Sequence, residues 1–401
     1  MIPLEEFQRA SAILKDKVIK TPLLFSPSLS GQFGKNIYLK LESLQKTGSF
    51  KIRGATYKLL RRREEFGPGG VVGASAGNHA QGLALAASEA GIKATIVMPE
   101  WVSISKQEAT RGYGGEIIIK GDSLEKSIEI ARDLARNGLH FIHPYDDLDI
   151  ITGQGTVALE ICDALNGVDM IVVPIGGGGL ISGIASVVKS VKPHVRVVGV
   201  QSAACPSAYE AVRRKKAFRV RSESSVADGI SVKQVGELTL GIILQNVDDI
   251  VLVEEVHIAS AMLQLLEGMK ILVEGAGAVP LAALLRGSLD LSKSKNIVLV
   301  VSGGNVDSPL LDRIITQGLT KHGRIMRFMV RLDDRPGSLS KILNIIANLK
   351  ANVLDIRHER HLRDAPLYVT HVELELETRG YSHSKEIEAE LKRMGYSINM
   401  D

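Results

Sequence analysis

The sequence has few cysteines, few aromatic residues and no long hydrophobic run. Its 401 residues include only Cys162 and Cys205, which provide neither a disulfide framework nor the spacing of a metal site. No apolar run reaches the roughly 18 residues that a membrane span needs, and the N-terminus lacks the apolar core of a signal peptide. These absences predict a soluble, reduced, cytoplasmic protein.

The sequence also has no large excess of positive or negative charge, since the net charge of +4 is small for this length. Lysine and arginine are spread along the chain, apart from the runs at 61–63 and 213–216. Each run is more typical of a solvated helix face than of a nucleic-acid patch. We therefore expect neither a nucleic-acid nor a membrane partner. With 45% hydrophobic residues, the chain can bury two cores or more.

From about residue 71, apolar strands alternate with amphipathic helices. The strands are predicted at 71–72, 94–98, 116–120, 140–143, 170–174, 195–200, 250–254 and 296–301. The helices between them are predicted at 80–90, 123–137, 180–189, 258–273 and 279–286. Continuous apolar strands are typical of parallel strands covered on both faces. The alternation predicts an α/β fold with open sheets, whose ligands bind beyond the carboxyl ends of the strands.

A lysine lies at the start of a helix before this alternation begins. A short strand at 37–42 precedes the segment 47–55, in which apolar residues begin to recur at helical spacing. This places Lys51 at a loop-to-helix junction, with Ser49 as the predicted N-cap. Apolar neighbours and the positive end of a helix dipole disfavour an ammonium ion. Lys51 would then be a neutral amine able to form a Schiff base, although taken alone it could be an ordinary surface lysine.

Three polar or glycine-rich turns, at 75–82, 176–179 and 302–305, follow predicted strands. The second is a run of four glycines before a helix, where backbone N–H groups can approach a bound anion such as a phosphate. It does not match either common nucleotide-binding glycine motif, and a tight turn is the alternative. In the first turn, Asn78 could merely cap its helix, and His79 could be a packed, hydrogen-bonded residue.

The pattern changes at about residue 325. Strands are predicted at 327–332, 352–359, 367–376 and 396–400, with helices from Ser338 and at 384–394. The order βαββαβ predicts a small ferredoxin-like module after a linker at 320–324. The module contains no constellation that indicates catalysis, so we expect a regulatory or structural role.

Taken together, the motifs at 40–51, 75–82, 176–179 and 302–305 make the chain closely resemble the threonine ammonia-lyases (threonine dehydratases). These are pyridoxal-phosphate enzymes of fold type II. The resemblance covers residues 1–320 and implies a catalytic domain of two α/β lobes with open parallel sheets, similar to tryptophan synthase β. Residues 325–401 resemble an ACT domain, the ferredoxin-like amino-acid-sensing module of many metabolic enzymes.

The resemblance also implies site residues. Lys51 would carry the cofactor covalently and take the substrate α-proton. The residues implied to hold pyridoxal 5'-phosphate are Phe50, Lys51, Asn78, Gly176, Gly177, Gly178, Gly179, Leu180 and Ser302. Those implied to hold the substrate carboxylate are Ser75, Ala76, Gly77, Asn78 and His79. Glu274 lies in a segment that the family places near the active site.

The implied reaction converts L-threonine to 2-oxobutyrate and ammonia, and L-serine to pyruvate as a secondary substrate. The alternative is a serine/threonine racemase or another β-eliminating or β-replacing enzyme of the same fold. A ligand-binding protein without catalytic activity is a third hypothesis, which the presence of Lys51 opposes.

Ala76 stands where similar racemases have a serine that acts as an acid on the second face of the substrate, which favours elimination. Gln201 stands where they have a metal-binding glutamate, so we expect no metal there.

The turn at 334–337 is the first turn of the ACT-like module, where backbone N–H groups can meet a carboxylate. We expect the module to bind an amino acid such as isoleucine or valine between paired copies. Pairing implies a homodimer or a homotetramer. Isoleucine biosynthesis and threonine breakdown both stay open as the pathway.

Overall fold

The structure, a computed structural model, describes residues 2–359 and 368–400. They form two units, which divide after Asp307. The strands of the N-terminal unit are β1 (Leu23–Phe25), β2 (Asn36–Leu41), β3 (Val71–Ala74), β4 (Ala94–Met98), β5 (Glu116–Ile119), β6 (His140–Phe141), β7 (Met170–Pro174), β8 (Arg196–Ser202), β9 (Asp249–Val253) and β10 (Asn296–Val301). Its helices are α1 (Leu4–Leu14), α2 (Pro27–Phe33), α3 (Lys51–Arg61), α4 (Asn78–Ala90), α5 (Ile104–Gly112), α6 (Leu124–Arg136), α7 (Leu148–Ala164), α8 (Gly179–Val191), α9 (Ser207–Arg214), α10 (Glu237–Asn246), α11 (Glu255–Met269) and α12 (Gly275–Arg286).

Two sheets organise the N-terminal unit. The larger has the order β1-β2-β10-β7-β8-β9 and is parallel except for β1, and the smaller has the order β5-β4-β3-β6 and is wholly parallel. The predicted open parallel sheets are therefore confirmed. Strands β3 and β7 are buried along their whole length, as expected of parallel strands covered on both faces. Each fully buried Val, Leu or Ile contributes roughly 1.5–3 kcal/mol to stability.

A network of buried charges joins strand β2 to helix α3. Arg53 is 1% exposed and its guanidinium lies 2.7 Å from the carboxylate of Glu42 and 2.6 Å from that of Glu160. The ammonium of Lys40 lies 2.5 Å from the second oxygen of Glu160 and 2.7 Å from the carbonyl oxygen of Thr21. Two cations thus balance two anions, which is the condition under which charges are tolerated away from water.

We expect Arg53→Leu to lower the free energy of unfolding by about 3–5 kcal/mol, because Glu42 would be left as an unpaired buried charge. Urea denaturation followed by circular dichroism measures the loss. Arg136→Leu is the matched control, since Arg136 pairs with Asp133 on the surface and its side chain is 78% exposed. The control should change stability by less than about 1 kcal/mol. Equal effects of the two substitutions would contradict this account.

The C-terminal unit contains α13 (Ser308–Lys321), β11 (Ile325–Asp333), α14 (Ser338–Asn348), β12 (Asn352–Glu359), β13 (Val369–Glu377), α15 (Tyr381–Arg393) and β14 (Ile398–Met400). Its sheet is antiparallel with the order β12-β13-β11-β14, so the predicted βαββαβ arrangement is confirmed. Alternate residues of β11 and β13, such as Phe328 and Leu374, pack against Ile342 and Ile387 of the helices.

Several bounds of the C-terminal prediction differ from the structure. The last helix, predicted at 384–394, is Tyr381–Arg393, and the last strand, predicted from residue 396, starts at Ile398. The expected linker at 320–324 begins inside α13, and the two compact units divide after Asp307. The boundaries expected for the catalytic and ACT-like domains, 1–320 and 325–401, stay predictions. The strand predicted from residue 367 starts at Val369, and residue 367 lies outside the described residues. Within the described part of the chain, no helix is long and apolar enough to cross a bilayer.

Candidate active site

The predicted motifs meet at the carboxyl ends of β2, β3, β7 and β10. The backbone N–H of Phe50 donates to the carbonyl of Ser302 over 3.1 Å, and the N–H of Gly304 donates to the carbonyl of Gly48 over 2.9 Å. The amide of Asn305 donates to the side chain of Asn78 over 2.7 Å. These bonds join the lysine loop, the turn after β3 and the turn after β10 into one site.

Lys51 is the first residue of α3, as predicted, but the predicted cap is wrong. Phe50 is the N-cap residue. The backbone of Ser49 instead forms an isolated antiparallel bridge with Gly303, and its buried hydroxyl has no hydrogen-bond partner among the described residues. Bridging to Gly303 takes Ser49 out of the helix end, so its side chain cannot reach the first free N–H groups.

Burial makes the amine of Lys51 easier to deprotonate. Its Nζ donates to the carbonyl oxygen of Pro144 over 2.9 Å and lies 5.2 Å from the centroid of the Phe50 ring. Desolvation lowers the pKa of Lys51 to about 8, although the carboxylate of Glu274 opposes the shift. An amine with this pKa is partly neutral at neutral pH and can act as a nucleophile or a base.

The four glycines from the loop after β7 to the first residue of α8 form a cradle in which larger residues would clash. A Cβ on Gly177 would lie 2.3 Å from Cγ of Tyr145, and one on Gly178, whose φ is +97°, would lie 2.8 Å from the Thr239 side chain. The Thr239 hydroxyl donates to the carbonyl of Gly177 over 2.7 Å and fixes the loop. The N–H groups of the first turn of α8, including that of Leu180, have no partner within the helix and can bind an anion.

Asn78 begins α4 without capping it, because the N-cap residue is Gly77 and makes no side-chain cap. Its Nδ2 donates to Oε1 of Glu274 over 2.7 Å. Burial raises the pKa of Glu274 to about 7, and the charge of Asp228 adds to this, while the bond from Asn78 opposes it. The structure therefore brings Glu274, which was placed near the site by resemblance alone, into contact with Asn78.

The remaining predicted substrate residues lie in the turn from Ser75 to the start of α4. The hydroxyl of Ser75 accepts a hydrogen bond from the N–H of Gly77 over 3.1 Å. His79 is buried and its Nε2 lies 3.2 Å from the carbonyl oxygen of Ile142. Burial lowers the pKa of His79 to about 3, so its ring is neutral and donates to that carbonyl. His79 is thus a packed, hydrogen-bonded residue that borders the site.

Four site residues carried no individual prediction: Pro144, Tyr145, Thr239 and Asn305. The segment of Pro144 and Tyr145 follows β6, so its position after a parallel strand was a usable signal. Asn305 belongs to a predicted turn, but its contacts become visible only in three dimensions. Thr239 lies in α10, far from every motif in sequence, and no local pattern marks it.

The side-chain amide of Gln201, the residue that argued against a metal site, is hydrogen-bonded within the protein. Its Oε1 accepts from the N–H groups of Ala208 and Tyr209 over 2.9 and 3.0 Å, and its Nε2 donates to the carbonyl of Ile175 over 3.2 Å. Among residues 2–359 and 368–400, no group of three His, Cys, Asp or Glu side chains is arranged to hold a metal ion.

Solved enzyme structures resemble about four fifths of this chain. Maize serine racemase is 35% identical over 80% of this chain and 98% of its own, with a TM-score of 0.74. The processed form of threonine deaminase isoform 2 from Solanum lycopersicum is 33% identical over 78% of this chain and 92% of its own, with a TM-score of 0.73.

Two related proteins are similar to this chain over its full length. The L-threonine ammonia-lyase of Thermotoga maritima is 47% identical, and that of Geobacter sulfurreducens is 44% identical, each over 100% of both chains. The family model described as pyridoxal-phosphate dependent enzyme matches residues 14–303, which include Lys51, the four glycines and Ser302. The chain therefore belongs to the pyridoxal-phosphate dependent enzymes and uses pyridoxal phosphate as its cofactor.

Proposed function

We propose that this chain is an L-threonine ammonia-lyase, which converts L-threonine to 2-oxobutyrate and ammonia and accepts L-serine as a secondary substrate. The observation that carries the proposal is the amine of Lys51, whose pKa falls to about 8 where the strand-end loops meet. Full-length similarity to two proteins named L-threonine ammonia-lyase supports the choice of reaction.

The residues present fit pyridoxal phosphate. The cradle of Gly176 to Gly179 leaves room only for hydrogen at its tightest point and presents N–H groups to a phosphate. Phe50 lies beside Lys51, with Asn78 and Ser302 joined to the same loop system. We assign these residues to the ring of the cofactor. When bound, the cofactor withdraws electrons from the substrate α-carbon and so weakens its C–H bond.

The chain's own groups then supply orientation and proton transfer. The N–H groups at the start of α4, in the turn from Ser75 to His79, are suited to hold the substrate carboxylate. The neutral amine of Lys51 takes the α-proton and holds it at Nζ. Ser302 offers a hydroxyl where a carboxylate would keep the pyridine nitrogen protonated. The weaker electron withdrawal that results would suit loss of the β-hydroxyl as water over prolonged carbanion chemistry.

Ala76 favours elimination over racemisation. Racemisation needs a second proton donor on the face opposite Lys51, and the methyl group of Ala76 cannot donate a proton. Because serine racemases share the fold, the test must measure D-serine as well as the oxo acid.

The first test is the visible absorbance spectrum of the purified protein before and after addition of L-threonine, with 2-oxobutyrate assayed in parallel. We expect a band of lysine-bound cofactor that changes with threonine as 2-oxobutyrate forms. Lys51→Ala should abolish both signals. Lys46→Ala is the control, because Lys46 belongs to the same loop but forms a surface pair with Glu89, and it should keep both.

Two outcomes would overturn the proposal. Formation of D-serine from L-serine without oxo acid from either substrate would indicate a racemase. Absence of the band, even after pyridoxal phosphate is added, would contradict the assignment of Lys51 itself.

A second prediction concerns the glycine cradle. We expect Gly177→Ala to weaken binding of pyridoxal phosphate at least about tenfold, because its methyl group displaces the Tyr145 ring or the loop. Titration of the apoenzyme with the cofactor, followed by visible absorbance, measures the change. Gly241→Ala in α10 is the matched control, since a Cβ there meets nothing within 4 Å. Equal affinity of the two variants would show that the cradle does not hold the cofactor.

We also propose that the C-terminal unit, as an ACT-like module, binds an amino acid such as isoleucine or valine between paired copies of a homodimer or homotetramer. The support is the βαββαβ topology and the turn at 334–337, which leads into α14 with Gly337 at φ +87°. The first N–H groups of α14 can donate hydrogen bonds to a carboxylate there.

For this site we expect Gly337→Asp to abolish amino-acid binding to the full chain, because the added carboxylate repels that of the effector. Calorimetry with isoleucine and valine measures it. Gly395→Asp is the matched control: Gly395 is also in the C-terminal unit, has φ +85°, and a Cβ there likewise meets nothing within 4 Å. Strain is therefore equal in the two variants. Absence of binding heat in the unsubstituted chain with any common amino acid would contradict the proposal.

A further inference from the structure

We propose that Asn305 is a positioning residue that, together with Glu274, fixes the side-chain amide of Asn78 in one orientation. The Nδ2 of Asn305 lies 2.8 Å from the carbonyl oxygen of Thr47, 2.7 Å from Oδ1 of Asn78 and 3.3 Å from Oε1 of Gln81. One amide group therefore donates to the loop that carries Lys51 and to the first turn of α4. The inference rests on the proposed role of Asn78 beside the cofactor.

The orientation of the Asn305 side-chain amide is set by a group that can only accept hydrogen bonds. The carbonyl of Thr47 has no hydrogen to donate, so the nitrogen of the Asn305 amide must face it. The Asn305 oxygen packs against Gly48, where a Cβ would lie 2.3 Å from it and where φ is +67°. With both ends of the amide so placed, Nδ2 presents hydrogen to Asn78, whose oxygen must face it.

Glu274 fixes the other end of the Asn78 amide. Its carboxylate accepts from Nδ2 of Asn78 over 2.7 Å, and its side chain is buried, with the residue 5% exposed. If the amide of Asn78 were reversed, its oxygen would face the carboxylate and its NH₂ group would face that of Asn305. Both contacts would then be repulsive. With Glu274 ionised, the series from Thr47 through Asn305 and Asn78 to Glu274 thus permits one orientation and leaves the second hydrogen of Nδ2 for a bound group.

The bonds of Asn305 also connect separate parts of the fold. Asn305 follows β10 of the larger sheet, whereas Asn78 begins α4, which packs against the smaller sheet. Thr47 belongs to the loop just before Lys51. Asn305 therefore sets the position of Asn78 relative to the lysine loop, which a residue within α4 could not do.

The test is Asn305→Asp, which replaces a donor by an acceptor of the same shape. Aspartate cannot donate to Thr47, and it favours the reversed amide of Asn78. We expect kcat for L-threonine to fall about tenfold, with KM changed by less than about threefold. We also expect the visible band of lysine-bound cofactor to shift its wavelength or its pH midpoint, since Asn78 would present oxygen instead of N–H.

Asn296→Asp is the matched control at the opposite end of β10. Asn296 also donates through its amide to a backbone carbonyl, that of Gly167, over 2.6 Å. The same loss of a donor there should leave kcat and the spectrum unchanged. A second readout is thermal stability of Asn305→Asp combined with Glu274→Gln. Glutamine can donate to a reversed Asn78, so the double variant should melt higher than the sum of the single effects predicts.

The outcomes separate this inference from the proposed function. If the unsubstituted protein forms 2-oxobutyrate but Asn305→Asp keeps its spectrum and kcat, the positioning role is wrong and the function stands. If the unsubstituted protein has the band but forms no oxo acid, the spectral and melting measurements still test the positioning role. Additive melting shifts in the double variant, with an unchanged spectrum, would overturn it.

Discussion

Pairing of the buried charges of Arg53 and Glu42 is the constraint on which the active site depends. The two residues stand at opposite ends of the loop that carries Lys51, and both are at most 1% exposed. Unpaired charges at that depth would be strongly destabilising, so the network with Lys40 and Glu160 fixes both ends of the loop at once. The loop can then hold the backbone of Ser49 against Gly303 and leave Lys51 at the first turn of its helix.

Close packing of three helices then sets the distance between the lysine and the glycine cradle. Helix α7 lies between α3 and α8, whose first residues belong to the site. A Cβ on Gly153 of α7 would lie 2.7 Å from Cα of Gly54, and a Cβ on Gly183 of α8 would lie 2.4 Å from the carbonyl of Ile151. Glycine at these contacts lets the helix backbones touch. Substitutions there would move the two helix starts apart without changing any residue of the site.

Features that depend on local sequence order were predictable, whereas features that depend on contacts between distant residues were not. Lys51 and the glycine turns were predictable because parallel strands bring their carboxyl ends to one edge. The cap of α3 was not, because the bridge between Ser49 and Gly303 joins residues far apart in sequence. Asn305 could be predicted as part of a turn, but its partners could not. Helix α13 was not predicted, and the linker expected at 320–324 overlaps its last residues.

Burial moves the pKa values of the two ionisable groups of the site, Lys51 and Glu274, toward each other. Loss of water disfavours any charge, so it lowers the pKa of Lys51 to about 8 and raises that of Glu274 to about 7. Their mutual attraction opposes both shifts but does not cancel them. A base works best when the pKa of its protonated form lies near the working pH. Desolvation of the lysine loop, rather than a dedicated partner residue, therefore prepares Lys51 to take and return a proton at neutral pH.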